Sequence, residues 1–231
     1  MSLPKPYYED AAAGIVIYHG DCREILPHLP KVDLVLTDPP FGTQELGGGY
    51  GRRQLHSVNG RDGRTITNDS DLSVLAESWP LMRPLLQGRF AFIFYAPRRM
   101  PEFCDIVRNE WFGELVWDKC APGLGYTVRY QHESIAVLKI GEPEKPSGGA
   151  LISVQRFNRT DVQEHPHEKP IELLKACIEW SQAQLILDPF MGSGTTLRAA
   201  KDLGRQCIGI EIEEKYCEIA ARRLGQEVLP L

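Results

Sequence analysis

Asp38-Pro39-Pro40-Phe41 sets a carboxylate, two rigid prolines and an aromatic ring side by side, directly behind the apolar run at 32–37 (VDLVLT). Proline keeps its carbonyl while fixing its own φ, so the Asp38 carboxylate and the Pro39 carbonyl form a pair of acceptors on a stiff backbone, and Pro40 extends that stiffness. Such a pair suits an exocyclic base amine. That nitrogen is a poor nucleophile because its lone pair is delocalised into the ring. A catalyst must therefore hold its hydrogens and let it pyramidalise toward a methyl donor. Phe41 offers a face on which the base can stack. The same four residues also suit a surface turn in which an Asp opens a Pro-Pro bend, and the motif alone leaves both readings open.

A second constellation lies at 188–196 (DPFMGSGTT). Its small residues fall between a strand end and a helix start, where Gly192 and Gly194 let backbone approach a ligand and helix N–H groups face a polar group. The Lys of G-x-x-x-x-G-K-[ST] is missing and the glycine spacing is not G-x-G-x-x-G, which disfavours phosphate. The next apolar run, 207–210, ends in Glu211, a strand-tip carboxylate able to accept from two ribose hydroxyls. Turn and acid together suit a nucleoside; a tight turn beside a surface acid is the plainer alternative.

The elements that must carry these residues are legible as apolar runs and helical spacings. Strands are expected at 32–37, 90–95, from Glu114 to Trp117, at 134–140, at 185–188 and at 207–210. Helices are expected near Leu72, at Lys169-Pro170 with the proline suited to a first helical position, from Thr195, and through Tyr216 and Leu224. Strands alternating with helices predict an α/β fold with a mostly parallel sheet and helices on both faces. The Gly- and Arg-rich stretch 42–69 reads as a long mobile loop, and 141–149 as a linker or hairpin region.

Length and composition bound this reading. The 231 residues with 42% hydrophobic content suffice for one core, so 1–231 is read as one domain. No apolar run is long enough to cross a bilayer, and the expectation is a cytoplasmic protein without a membrane partner. The six cysteines are scattered without a C-x-x-C pair, which argues against a metal site or disulfide framework. A net charge of −5 is unlike a typical nucleic-acid binder. Arginines nonetheless gather at 52, 53, 61 and 64, at 98 and 99, and at 156 and 159.

Taken together, D-P-P-F and D-P-F-x-G-S-G-T-T resemble the catalytic and cofactor motifs of DNA amino-methyltransferases. The catalytic motif precedes the cofactor motif, as in the circularly permuted β group of that family. Gly20-Asp21-Cys22, Trp117-x-Lys119, His132-Glu133 and the segment 165–170 (HPHEKP) resemble further family segments, so the likeness runs from about Tyr18 to Leu224.

The resemblance implies a Rossmann-like methyltransferase fold, S-adenosylmethionine as cofactor, DNA as partner, and direct transfer to a flipped-out base without a metal. Asp before Pro-Pro favours the amine of adenine. Cytosine-N4 is the rival base, and RNA or protein-glutamine methylation is a weaker one. Residue by residue it implies that Asp21 and Cys22 face the cofactor adenine. Phe190 would lie against the cofactor, with Gly192, Gly194, Thr195 and Thr196 at its methionine end. Asp188 would lie near its amino-acid moiety or serve as a structural strand-end residue, Lys169 would contact the cofactor or only mark a helix start, and Glu211 would bind ribose. A homodimer and a cognate restriction endonuclease are further partners this family admits. One departure stands out: only about 139–164 is available as a target-recognition insertion, so sequence reading is either relaxed or supplied by the 42–69 loop or a partner chain.

Overall fold

The computed structural model describes residues 3–40, 71–86, 88–121, 128–143, 149–158 and 169–226. Phe41, the 42–69 loop and residues 165–168 lie outside these. Along the chain run β1 (Tyr8–Asp10), β2 (Ile15–His19), α1 (Cys22–Ile25), β3 (Leu34–Thr37), α2 (Ser73–Met82), β4 (Arg89–Tyr95), α3 (Met100–Val107), β5 (Trp111–Asp118) and β6 (His132–Ile140). Then follow β7 (Val154–Arg156), α4 (Ile171–Ser181), β8 (Leu185–Asp188), α5 (Thr195–Asp202), β9 (Gln206–Glu211) and α6 (Glu214–Gly225).

These strands form one sheet in the order β1-β2-β9-β8-β3-β4-β6-β5-β7. The five strands from β2 to β4 are mutually parallel. A central parallel strand is covered on both faces and reads as an unbroken apolar run, which is why all four residues of β3, LVLT, are buried. Helices α4, α5 and α6 pack one face through Leu174, Ile178, Leu197, Ala220 and Leu224. Helices α1, α2 and α3 cover the other through Ile25, Leu75, Trp79, Met82 and Phe103. The α/β expectation is met as a three-layer, mixed sheet in which β1 and β6 run antiparallel to their neighbours. No described helix is long and apolar enough to cross a membrane.

Three local features differ from the sequence reading. Pro170 is the residue before α4, with φ −61° and ψ 127°, rather than its first helical residue. The N-terminal β1–β2 pair was not anticipated, although β2 is the strand that brings Gly20 and Asp21 beside Glu211. Part of the expected recognition insertion, residues 154–156, forms β7, which pairs in parallel with β5 at the sheet edge.

The chain leaves β3 toward β4 on one side and leaves β8 toward β9 on the other, while β3 and β8 are themselves paired. Strands that diverge in this way leave a crevice at their carboxyl ends, the usual ligand position in open α/β sheets. Asp38 follows one of these strands and Asp188 ends the other.

Candidate active site

The strand registers bring both constellations to one edge. Passing across the sheet, the carboxyl ends of β2, β9, β8, β3 and β4 present His19, Glu211, Asp188, Thr37 followed by Asp38, and Tyr95. Antiparallel β6 begins at the same edge, with Ser134 opposite Tyr95, and β5 ends there with Trp117 opposite Glu133.

On the β9 side, the Glu211 carboxylate organises the glycine turn. Its Oε2 accepts the Gly192 N–H at 3.0 Å and its Oε1 accepts the Glu213 N–H at 2.8 Å. Burial raises its pKa, against the pull of those N–H groups. Each carboxylate oxygen has two acceptor sites, so capacity remains for hydroxyl donors. Gly192 has φ +51°, and a methyl group added there would meet nothing within 4 Å. Gly194 has φ +80°, but a methyl group there would lie 2.8 Å from Ala220 Cβ. The first glycine borders open space; the second lets α5 pack on α6.

Asp188 is turned inward. Its Oδ1 accepts from Thr37 Oγ1 at 2.7 Å and from the Phe190 N–H at 3.2 Å. Thr196 also hydrogen-bonds to it, but burial prevails and lifts the carboxyl pKa to about 6. The Thr195 oxygen accepts from Arg223 Nη1 at 3.2 Å, which ties it to α6. Phe190 is half-buried against the α1–α3 side of the core. Asp21 caps α1 by accepting the Arg23 N–H at 2.9 Å, and the Arg23 side chain holds its pKa below the usual carboxylate range. Cys22 is a core residue whose thiol burial pushes up to about 12.

On the β3 side, Asp38 stands in a chain of alternating charges. Its Oδ2 accepts from Lys169 Nζ at 2.5 Å. Lys169 Nζ is also 3.1 Å from Glu133 Oε2, and Lys119 Nζ lies 2.5 Å from Glu133 Oε1. Aromatic faces back both ammonium groups, Phe94 at 5.0 Å from Lys169 and Trp117 at 5.3 Å from Lys119. Pro39 is buried beside Asp38, and Pro40 is partly so.

The two acids shift in opposite directions. Burial raises Asp38 to about 6, with Lys169 opposing and Glu133 adding to the rise. Burial would raise Glu133 too, but two ammonium groups outweigh it and hold that acid down. The Asp38 side chain retains 26% of its surface accessible, against 6% for Lys169. One Asp38 oxygen is nevertheless enclosed: Oδ1 has no hydrogen-bond partner among the described residues.

Sequence reasoning named Asp38 and Lys169 separately and grouped Lys169 with the cofactor. The structure pairs them across 131 positions. Thr37 was also missed, because the hydroxyl at the end of an apolar run carries no sign of its distant partner. A glycine turn beside the Glu211 carboxylate and the enclosed Asp38 carboxylate thus meet at one switch point of the sheet, the usual ligand position of an open α/β fold.

Comparison with known proteins agrees. The chain matches the DNA methylase family over residues 139–222. It is 33% identical over 214 residues to the putative methylase YubD of Escherichia coli (strain K12), covering 89% of this chain and 88% of that protein. It is 28% identical over 262 residues to type II methyltransferase M2.MboI of Moraxella bovis, covering 98% and 93%. The solved M1.HpyAVI–SAM complex superposes with a TM-score of 0.67 at 25% identity, over 90% of this chain and 99% of that one. The chain belongs to the DNA methylase family, and it is an S-adenosylmethionine-dependent DNA methyltransferase.

Proposed function

We propose that the protein methylates the exocyclic amine of adenine in DNA, with Asp38 as the acceptor that holds the amine. The observation that carries this reading is the enclosed, unpartnered Asp38 Oδ1 at the carboxyl end of β3. A buried carboxylate oxygen without a donor costs free energy, and an amine N–H relieves that cost. As the nitrogen becomes positive, the interaction with Asp38 strengthens, so the carboxylate favours the transition state over the ground state. The Pro39 carbonyl supplies the second acceptor and Pro40 stiffens it, while Phe41, the ring the motif offers for stacking, lies outside the described residues. A base paired inside a duplex cannot reach this edge, so it must be extruded, at a cost of a few kcal/mol.

S-adenosylmethionine supplies a methyl group made electrophilic by its sulfonium. The turn at Gly192 suits such a ligand because it leaves open space beside the Glu211 carboxylate, which retains acceptor capacity for ribose hydroxyls. Phe190 offers a partly exposed ring on the same turn. Asp188, Thr195 and Thr196 act in this reading by holding the turn, and Asp21 by fixing the strand-to-helix corner after β2.

Adenine is preferred because the acid before Pro-Pro is Asp38. Cytosine also presents an exocyclic amine, so the deciding experiment incubates the protein with tritiated cofactor and bulk unmethylated DNA, then separates the nucleosides. Label in N6-methyl-2′-deoxyadenosine is expected; label in N4-methyl-2′-deoxycytidine alone overturns the choice of base, and label in neither overturns the function. DNA is the partner this reading requires. A homodimer and a cognate restriction endonuclease are the further partners it admits, to be tested by sedimentation and by co-purification.

A further inference from the structure

Lys169 sits immediately ahead of α4 and is only 6% exposed, yet it faces two carboxylates rather than the Gly192 turn. With Lys119 it completes a row in which two acids and two ammonium groups alternate, Asp38–Lys169–Glu133–Lys119. Such a row is neutral as a whole, and removing one member strands a charge on its neighbour. The row also divides the labour of the Asp38 oxygens, because the ammonium takes Oδ2 and leaves Oδ1 unpartnered.

We infer that Lys169, anchored by Glu133, is a positioning residue for methyl transfer: it orients Asp38 through Oδ2, keeps it ionised, and thereby reserves Oδ1 for the target amine. The inference rests on Asp38 being the amine acceptor. It assigns Lys169 to the acid rather than to the cofactor, and it gives the His132-Glu133 segment a task, because Glu133 fixes the ammonium from the far side.

Among the described residues, the charged groups facing Asp38 are Lys169 ahead of α4, Glu133 on β6, Lys119 after β5 and Asp188 at the end of β8. Lys169 and Lys119 favour the Asp38 carboxylate, while Glu133 disfavours it. Methyl transfer needs that carboxylate, so the rate falls as acid protonates Asp38. Removing the Lys169 charge moves this acid limb to higher pH, whereas removing the Glu133 charge moves it to lower pH. A purely structural role would lower activity in both variants without moving the limb in opposite directions.

The test is single-turnover transfer from tritiated S-adenosylmethionine to saturating bulk unmethylated DNA across pH, beside calorimetric cofactor affinity. Lys169→Met is expected to shift the acid limb upward by about one pH unit or more, the usual effect of losing an adjacent opposite charge. Lys169→Arg should return the limb toward the parent. Glu133→Gln should shift it downward, and cofactor affinity should change less than twofold in each folded variant. Asp38→Asn, which cannot titrate, should lack the limb; if it keeps the parent's limb, the amine-acceptor reading itself falls. If that limb disappears while Lys169→Met keeps the parent's profile, the acceptor reading stands and the inference about Lys169 is overturned. Should Lys169→Met fail to fold, Glu133→Gln decides, and an unmoved or raised limb sinks the inference.

Discussion

Thr37 and Asp188, 151 positions apart, share a 2.7 Å hydrogen bond that laces the carboxyl ends of β3 and β8 together beneath the proposed site. Both side chains are nearly inaccessible to water. Replacing Thr37 by Val keeps the shape but withdraws a donor from a buried carboxylate oxygen. The expected loss is about 1–3 kcal/mol of folding stability, measured by urea unfolding. An unchanged midpoint and slope would mean that the bond contributes nothing net.

The Asp188 carboxyl also makes stability depend on pH. Its folded pKa, about 6, lies above the ordinary 3.8. A raised acid pKa contributes stability that is complete below the unfolded value and is lost as pH rises through the folded one. Relative to Asp188→Asn, the parent should lose about 2–3 kcal/mol between pH 4 and about 6. Asp38 is present in both proteins, and its charge adds to the rise at Asp188. Parallel stability curves for the two proteins would show that Asp188 does not titrate there.

The two glycines of the turn proposed to hold the cofactor should fail differently. Gly194→Ala drives a methyl group to 2.8 Å from Ala220 Cβ at φ +80°, and overpacking of this kind costs about 1–3 kcal/mol. Gly192→Ala meets no protein atom within 4 Å, so it should retain more stability while losing cofactor affinity. Thermal unfolding and calorimetry on both variants separate these effects. Equal losses in the two assays for both variants would refute the division.

Glu211→Ala removes the acceptor for Gly192 and Glu213 N–H groups along with any ribose contact. Cofactor binding should weaken by about 1–3 kcal/mol. Glu211→Gln, which retains one carbonyl oxygen, should lose less. Calorimetry that ranks Gln below Ala would place the ribose elsewhere.

Asp38→Ala should separate catalysis from binding. Loss of a group that acts chiefly in the transition state costs on the order of a hundredfold or more in rate, while cofactor affinity should stay near the parent's. Asp38→Asn retains an acceptor without the charge and should fall between. Transfer at the parent rate by Asp38→Ala would end the amine-acceptor mechanism.

What could be read from the sequence follows from how local each signal is. Strand β8 carries its bounds in four apolar or terminal residues before a Pro- and Gly-rich turn, and the helix start at Thr195 follows from the same turn. Strand β2 is as apolar and is bounded by Gly14 and Gly20, so there the local signal was present and was missed. Helix α3 spans only eight residues and opens on a Pro that reads as a breaker. In the site, the motifs revealed Asp38 and Glu211, since each sits at the end of an apolar run. The Asp38–Lys169 and Thr37–Asp188 pairs were not legible, because they arise only when distant strands take their places in the sheet. Gly192 and Gly194 look alike in sequence and differ only because Ala220 lies behind one of them.

The strand order carries a consequence for synthesis. Strands β8 and β9 lie between β2 and β3 in space yet come after both in sequence. A growing chain that has released β2 and β3 from the ribosome therefore holds two strand edges with no neighbour to close them, and unpaired edges invite association with other chains. The gap closes only when residues 185–211 emerge and insert. Because Asp188 and Glu211 arrive with that insertion, no ribosome-bound fragment lacking them can assemble the crevice, and methylation begins only when the sheet is completed from its middle.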